Sequence, residues 1–543
     1  MSELGAMQDW PLLTWRLIDH AAQNHGSREI VSLLVEGGEH RTNWREVRDR
    51  ALKVAQSLAR LGIVHGDRVA TLAWNTHRYV ECWYGISGMG AVAHTINPRL
   101  FADQIVYIAN HAQDRVLFLD LSFVGLVEQL APRLTSIEHF IVMTDAAHLP
   151  ASTLPLIAYE DLIDASDGDY DWADLDERAP AGLCYTSGTT GNPKGVLYSH
   201  RSNLLHSFAA VSGDALGIVA RTVVMPVVPM YHANAWGVPY AAAQVGAKMV
   251  MAGPHFDPPT LQRLIVAEGV DLTLAVPTVW LGMLQHLEET GLDLGRLKRV
   301  VIGGSAAPRA MIQAFQRNHD VAVSHAWGMT EMSPLGTVGS PCARFEGLPE
   351  ERRLDLQCKQ GRAIFGVEMK IVGEDGVELP RDGIAFGRLL VRGPWVVAAY
   401  FRGDGGDVLD ADGWFDTGDV ATLDAYGYMT ITDRAKDVIK SGGEWISSIE
   451  LENAAVGAPG VLEAAVIGIY HPKWDERPLL LVRAKPGAVV SKTEVLDYLR
   501  PRIAKWWTPD EVLVVDDLPH TATGKLLKTE LRTRYKDYVL PTA

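Results

Sequence analysis

Two patterns of apolar residues alternate along the chain up to about residue 430. Over residues 42–61 the apolar positions Ala51, Val54, Leu58 and Leu61 recur every three or four residues, the spacing of a helix with one buried stripe. Between such stretches lie short apolar runs at 68–73, 115–120, 140–143, 181–184 and 298–304, which read as buried strands. A helix-like stretch at 79–88 follows the first of them. This alternation predicts an α/β fold with largely parallel sheets, in which ligands sit at the carboxyl ends of strands. From about 386 to 432 the pattern shifts to short strands and turns (387–392, Asp412-Gly413, 426–432), which suggests a small β subdomain. After Asp433 a last unit has its own alternation: a helix from Ile449, strands at 464–469 and 478–482, a helix from Lys492 and a strand at 511–515. The expected fold is therefore a large N-terminal domain of mostly parallel sheets, with a small β subdomain, followed by a small α/β C-terminal domain.

Bulk properties narrow the class. A chain of 543 residues is too long for one core, so at least two domains are expected. Hydrophobic content of 47% with 21% charged residues is that of a soluble globular protein. The net charge is −16 and there is no long basic run, which argues against nucleic acid as a partner. Cys82, Cys184, Cys342 and Cys358 are far apart and lack metal spacing, so buried thiols in a reducing compartment are expected. The N-terminus lacks the regions of a signal peptide. The most apolar stretch, 219–253, is interrupted by Arg221, Pro226, Pro229, His232, Pro239 and Lys248, so no membrane insertion is expected. The expectation is a cytoplasmic enzyme.

The candidate chemistry is concentrated at 185–195, YTSGTTGNPKG. Gly188, Gly191 and Gly195 let backbone N–H groups turn onto an anion; Thr186, Ser187, Thr189 and Thr190 add hydroxyls, and Lys194 adds a mobile positive charge. That is a polyphosphate cradle, but not a Walker loop, because Pro193 precedes the lysine and Gly195 follows it. In 327–331 (WGMTE), Trp327 suits stacking on adenine, Thr330 suits donation to an α-phosphate, and Glu331 is a hard oxygen ligand for Mg²⁺. Asp419, in Thr417-Gly418-Asp419, suits the two ribose hydroxyls. A calcium loop starting at Asp410 fails because its fifth position is Trp414 and its sixth is not glycine. The stretch 433–444 reads both as a charged linker and as a motif: Arg434 suits ribose or phosphate, and Gly442-Gly443 lets backbone approach a ligand closely. Lys525 sits on a glycine turn near the C-terminus, and His232 and Trp236 lie in an apolar stretch where such residues are usually core.

These strings, in this order and over residues 30–530, resemble the adenylate-forming superfamily, in particular acyl-CoA synthetases of the medium- to long-chain fatty acid type. The segments 229–236 (PMYHANAW), 325–334 (HAWGMTEMSP) and 440–448 (KSGGEWISS) are especially similar to bacterial medium-chain ligases and 3-methylmercaptopropionate–CoA ligases. The resemblance implies an N-terminal AMP- and acyl-binding domain (1–432), a hinge (433–437) and a mobile C-terminal lid (438–543). It implies ATP, Mg²⁺ and CoA as cofactors, a carboxylic acid as substrate, and a homodimer. Thr186 and Glu331 would hold the metal, and with Lys525 and His232 would form the catalytic set. Gly304, His325, Ala326, Gly328, Met329, Lys436, Lys440 and Trp445 would join the nucleotide site. His232, Trp236 as a gate, Gly304 and Pro334 would bound the acyl group. Gly442-Gly443 would replace Lys525 over the site in the second half-reaction. Most relatives carry Tyr where this chain has Trp327, which keeps stacking but loses the phenol hydroxyl. The acyl chain stays open, and a stand-alone adenylation enzyme loading a carrier protein is the alternative.

Overall fold

Strands that read as unbroken apolar runs are buried on both faces, and this dictates their place. Val223–Pro226 and Leu272–Ala275 are buried along their whole length, and Arg299–Ile302 at all but its first residue. Such strands belong inside a parallel sheet covered on both sides. The computed structural model describes residues 5–186, 192–442, 444–520 and 526–543, with Glu444 and Trp445 described by backbone alone. It contains three sheets.

The first has seven strands, in the order Leu156–Ala158, His139–Val142, Asp114–Leu119, Arg68–Leu72, Val92–Thr95, Pro180–Tyr185 and Gly195–Ser199. All its pairs are parallel except the last, an antiparallel hairpin. The glycine-rich stretch from Thr186 to Lys194 is the connection of that hairpin. The second sheet has thirteen strands. Its parallel part (Glu29–Leu33, Lys248–Met251, Val223–Pro226, Leu272–Ala275, Arg299–Ile302 and Ala322–Gly328) is continued from Ala322–Gly328 onward by antiparallel strands. The β segment expected around 386–432 supplies half of the strands of that continuation: Phe386–Arg392, Phe415–Leu423 and Tyr428–Arg434 hydrogen-bond in turn, and the last of these pairs with Gly361–Ala363. One apolar cluster runs from Val69 and Phe118 through Val224 and Met249 to Trp327 and Val391, so the two large sheets share a core.

Helices follow the expected stripes. Trp44–Arg60 buries Val47, Ala51, Val54, Ala55 and Leu58. Its start is fixed by Asn43, whose side chain accepts the Glu46 amide at 3.0 Å, a cap contributing about 1 kcal/mol.

The third sheet (Ile439–Ser441, Glu444–Ile446, Val461–His471, Asp475–Ala484, Glu511–Val514) has its own apolar clusters, around Leu451, Val466 and Leu480 on one side and Ile467 and Leu531 on the other. Polar bonds join it to the end of the preceding strand. Asp433, fully buried, accepts both the amide and the hydroxyl of Ser448 at 2.6 Å. Ser447 donates to the carbonyl of Thr432, and Arg532 to Asp437 at 2.6 Å. Cys82 and Cys184 are buried thiols; Cys342 and Cys358, expected to be buried, are partly exposed. Among the described residues no helix is long and apolar enough to cross a membrane.

Candidate functional site

Three of the expected residues are bonded directly to one another. Trp327 and Asp419 lie within the strands Ala322–Gly328 and Phe415–Leu423, and Arg434 ends Tyr428–Arg434. Register pairs Asp419 with Arg434. The Asp419 carboxylate, 2% exposed, accepts from Trp327 Nε1 at 3.0 Å through Oδ2 and from Arg434 Nε at 2.9 Å through Oδ1. The indole N–H thus makes a polar bond to the carboxylate expected to hold ribose. Behind the ring is Gly336, where a Cβ would fall 2.6 Å from Trp327 Cζ3. Only glycine leaves the indole its place.

A second group surrounds Glu331. The turn Thr330–Met332 follows the strand, and its main chain is tied down: Tyr198 Oη donates to the Thr330 carbonyl at 2.7 Å, and the Val397 amide to that of Glu331 at 2.7 Å. The amide of Met329 donates to the Pro334 carbonyl at 3.1 Å, and Gly328 lies so close to that oxygen that a Cβ would fall 2.1 Å from it. The Glu331 carboxylate accepts from Tyr400 Oη at 2.7 Å. Lys194 Nζ stands 4.9 Å from the centre of the Tyr400 ring. Thr186 and Lys194 close the mouth of the hairpin connection. The Thr186 amide donates to the Lys194 carbonyl at 2.9 Å, and the Lys194 amide to the Thr186 hydroxyl at 3.2 Å. Burial and the neighbouring Glu331 charge push the Tyr400 phenol above its ordinary range, which keeps it a donor.

Thr186 and His232 line one small cavity with Tyr185, Tyr231, Thr95 and Asn97. The segment after His232 is unusual. Ala233, Asn234, Ala235 and Trp236 all have positive φ (41°, 57°, 46° and 55°) before Gly237 at 75°. This left-handed turn lays the Trp236 ring over Gly303, where a Cβ would come 2.8 Å from Cη2. Gly304, next in line, has φ of 83°. His325 is buried with its ring nitrogens 3.2 Å and 3.3 Å from the carbonyls of Cys358 and Ser305, and burial lowers its pKa. It pins the loop that carries Gly303 and Gly304. Ala326, next to His325 in the strand Ala322–Gly328, pairs with Val338 of the neighbouring antiparallel strand Leu335–Val338.

The remaining expected residues lie beyond Asp433. Lys436 is partly buried, which lowers its pKa. Lys440 Nζ is 3.9 Å from Glu374 Oε1, with both side chains exposed. Gly442 (φ 62°) donates its amide to the Trp474 carbonyl at 2.7 Å. The backbone of Trp445 pairs with that of Lys440. Ser187, Gly188, Thr189, Thr190, Gly191, Gly443 and Lys525 lie outside the described residues.

Sequence reasoning missed Tyr400, Gly303 and Gly336. Tyr400 and Gly303 act through residues distant in the chain, Gly336 through Trp327 nearer by, and none sits in a motif. No cluster of three or more His, Cys, Asp or Glu side chains that could hold a metal occurs among the described residues.

The AMP-binding enzyme family matches residues 18–401, and the AMP-binding enzyme C-terminal domain matches 450–525. A 3-methylmercaptopropionyl-CoA ligase of Ruegeria lacuscaerulensis is 52% identical over 535 residues, covering 98% of this chain and 99% of its own. A medium-chain-fatty-acid–CoA ligase of Ectopseudomonas oleovorans is 49% identical, covering 99% and 98%. Of the solved structures, ATP-bound MatB from Rhodopseudomonas palustris has a TM-score of 0.81 at 26% identity, over 96% of this chain and 99% of that one. The anthranilate CoA ligase AuaEII in complex with anthranoyl-AMP has a TM-score of 0.85 over 97% and 99%; at 24% identity that likeness is one of fold. Matched over both parts and along its whole length, the chain belongs to the AMP-binding enzyme family.

Proposed function

We propose that this AMP-forming acid–CoA ligase acts on a short- to medium-chain aliphatic acid, straight or thioether-containing. The carboxylate attacks the α-phosphate of ATP, pyrophosphate leaves, and the acyl-adenylate passes its acyl group to the CoA thiol as AMP leaves. The observation that carries this reading is the pair of relatives at 52% and 49% identity, named for 3-methylmercaptopropionate and for medium-chain fatty acids.

The residues divide the work. Asp419 and Arg434 hold the ribose, and Trp327 stacks on the base. Lys194 and the Thr186–Gly191 stretch hold the phosphates, and positioning of two anionic reactants carries much of the rate. The donor set of Thr186 and Glu331 fits Mg²⁺, which takes one or two protein oxygens together with substrate phosphates rather than a full protein cage. Bound there, the ion would supply neutralisation of charge developing on the α-phosphate. Trp236 gates the acyl channel and His232 lies at its junction with AMP. Lys525 assists adenylation; residues 433–437 serve as the hinge between residues 1–432 and 438–543, and turning about Lys436 brings Gly442-Gly443 to the site for thioester formation.

The test is AMP release and thioester formation with ATP, Mg²⁺ and CoA, across straight-chain acids of increasing length, 3-(methylthio)propionate and benzoate. The expected outcome is a clear optimum among the aliphatic or thioether acids. Preference for benzoate would overturn the substrate assignment. Pyrophosphate release without any CoA thioester would favour an enzyme that loads a carrier protein.

A further inference from the structure

Tyr400 lies in no motif, yet it touches both charged residues of the phosphate end of the site. Its hydroxyl donates to Glu331 Oε1 at 2.7 Å, and its ring lies beneath the ammonium of Lys194, 4.9 Å from the ring centre. The segment that carries it bridges the two large sheets. At one end, Trp395 Nε1 donates to the Leu335 carbonyl at 3.1 Å, Ser333 Oγ to the Trp395 carbonyl at 3.1 Å, and the Val397 amide to the Glu331 carbonyl at 2.7 Å. At the other end, Phe401 packs where a Cβ on Gly195 would be 3.0 Å away. Arg402 reaches Gln113 Oε1 at 2.6 Å, and Gly405 is close enough that its Cβ would stand 2.8 Å from Lys194 Nζ. The carboxylate and the ammonium come from different sheets and have no short path through the chain. Tyr400 is a rigid aromatic group that meets both.

Resting on the reading of Glu331 as the metal carboxylate and Lys194 as a phosphate cation, we propose that Tyr400 is a positioning residue for both. Its phenol fixes the rotamer of Glu331 by occupying Oε1, which would leave the second oxygen to hold the metal. Its ring seats the Lys194 ammonium by a cation–π contact. The phenol donates and the carboxylate oxygen accepts, so the bond holds one oxygen of Glu331 in place. Partners of this kind orient metal-ligating carboxylates, and their loss costs about 10–100-fold in metal affinity.

The experiment compares wild type, Tyr400→Phe, Tyr400→Leu and Glu331→Gln. Mn²⁺ binding is read by electron paramagnetic resonance in the presence of a non-hydrolysable ATP analogue, beside steady-state rates at low and high Mg²⁺. Tyr400→Phe keeps the ring and loses the hydroxyl. It is expected to weaken Mn²⁺ binding by about 10-fold or more, with much of the rate restored by excess Mg²⁺ and the KM for the acid unchanged. Tyr400→Leu removes the ring as well, and is expected also to weaken binding of the analogue in the absence of divalent metal. Wild-type Mn²⁺ affinity in Tyr400→Phe beside a weakened Glu331→Gln would overturn the proposal and leave the metal reading intact. Unchanged affinity in Glu331→Gln would overturn the metal reading and the role of Tyr400 with it. A rate loss in Tyr400→Phe that excess Mg²⁺ does not relieve would assign Tyr400 to packing alone and overturn the proposal.

Discussion

Asp419 offers the sharpest test of the nucleoside end, because its structural and functional parts can be separated. Asp419→Ala leaves the buried Trp327 indole N–H without an acceptor, which costs about 1–3 kcal/mol. It also frees Arg434, but that side chain is 41% exposed, so the ion pair contributes only about 0.2–1 kcal/mol. Together these give about 1–4 kcal/mol of stability, or a fall in Tm of roughly 2–8 °C at about 2 °C per kcal/mol. Asp419→Asn keeps the volume and one oxygen for the indole, and gives up the charge. Its stability cost is then about 1 kcal/mol or less. Its cost to the nucleotide is larger, because an amide cannot accept from two ribose hydroxyls as a carboxylate does. Losing one charge-assisted hydrogen bond removes about 1.5–3 kcal/mol, a factor of about 10–100 in kcat/KM for ATP. The assay is ATP–pyrophosphate exchange with ATP and the acid varied separately, beside a thermal melt. Asp419→Asn should lose activity toward ATP, hold its KM for the acid, and melt close to wild type. If it melts several degrees lower while kcat/KM for ATP stays within about twofold, Asp419 holds sheet strands together and does not hold ribose.

Two further outcomes test other parts of the site. Gly303→Ala puts a methyl 2.8 Å from Trp236 Cη2 and 2.9 Å from the Ala326 carbonyl; the backbone cannot yield, so the ring must. The overpacking costs about 1–3 kcal/mol, and the acid-length profile should shift while the KM for ATP holds; an unshifted profile would remove Trp236 from the acyl channel. His520 Nε2 is 2.5 Å from Glu463 Oε1, and that bond raises the His520 pKa above its usual 6.5. A raised folded pKa gives stability that is full below pH 6.5 and is lost as pH climbs through the raised value. For a pair this exposed the effect is about 0.5 kcal/mol. His520→Gln should therefore melt lower than wild type at pH 6 and level with it at pH 9; equal melts at both would mean the pair contributes nothing.

The parts of the molecule that follow from local pattern were legible. Buried runs became parallel strands, and the stripe over 42–61 became the helix Trp44–Arg60. The stretches 185–195, 327–331, 417–419 and 433–444 were also legible as candidates, because glycine beside lysine or carboxylate at close spacing has few other uses. What was not legible is how the candidates meet. Trp327 and Asp419 are 92 residues apart and bond side chain to side chain, which depends on antiparallel strands extending the edge of a parallel sheet. No periodicity announces that continuation. Tyr400 was invisible for the same reason: its two contacts, Glu331 and Lys194, come from separate sheets. Gly303 and Gly336 could be seen only once the tryptophans lay across them, because a glycine required by a ring is indistinguishable in sequence from one required by a turn.

The left-handed turn at Ala233–Trp236 shows where sequence rules give way, and why. Alanine and tryptophan carry no signal for positive φ, and the left-handed conformation costs roughly 1–2 kcal/mol per residue. Three such residues, leaving aside the tolerant Asn234, make a strain of about 3–6 kcal/mol that neighbouring contacts must offset. Asn75, 3% exposed, is well placed to do so. Its side-chain amide donates to the carbonyls of Pro226 and Val228 at 3.0 Å and 2.9 Å and its oxygen accepts the Met230 amide at 2.7 Å, fixing the approach to the turn. Beyond the turn, Gly237 lies so close to the His206 ring that a Cβ would stand 2.6 Å from it. Burial lowers the His206 pKa to about 3, so the ring is neutral and its Nε2 accepts the Leu335 amide at 3.1 Å. The turn is thus held from both ends, by Asn75 before it and by His206 after it. Its one evident product is the placement of Trp236 across Gly303. That gives the Trp236 ring a defined resting place across Gly303, held by a main chain that is itself fixed at both ends.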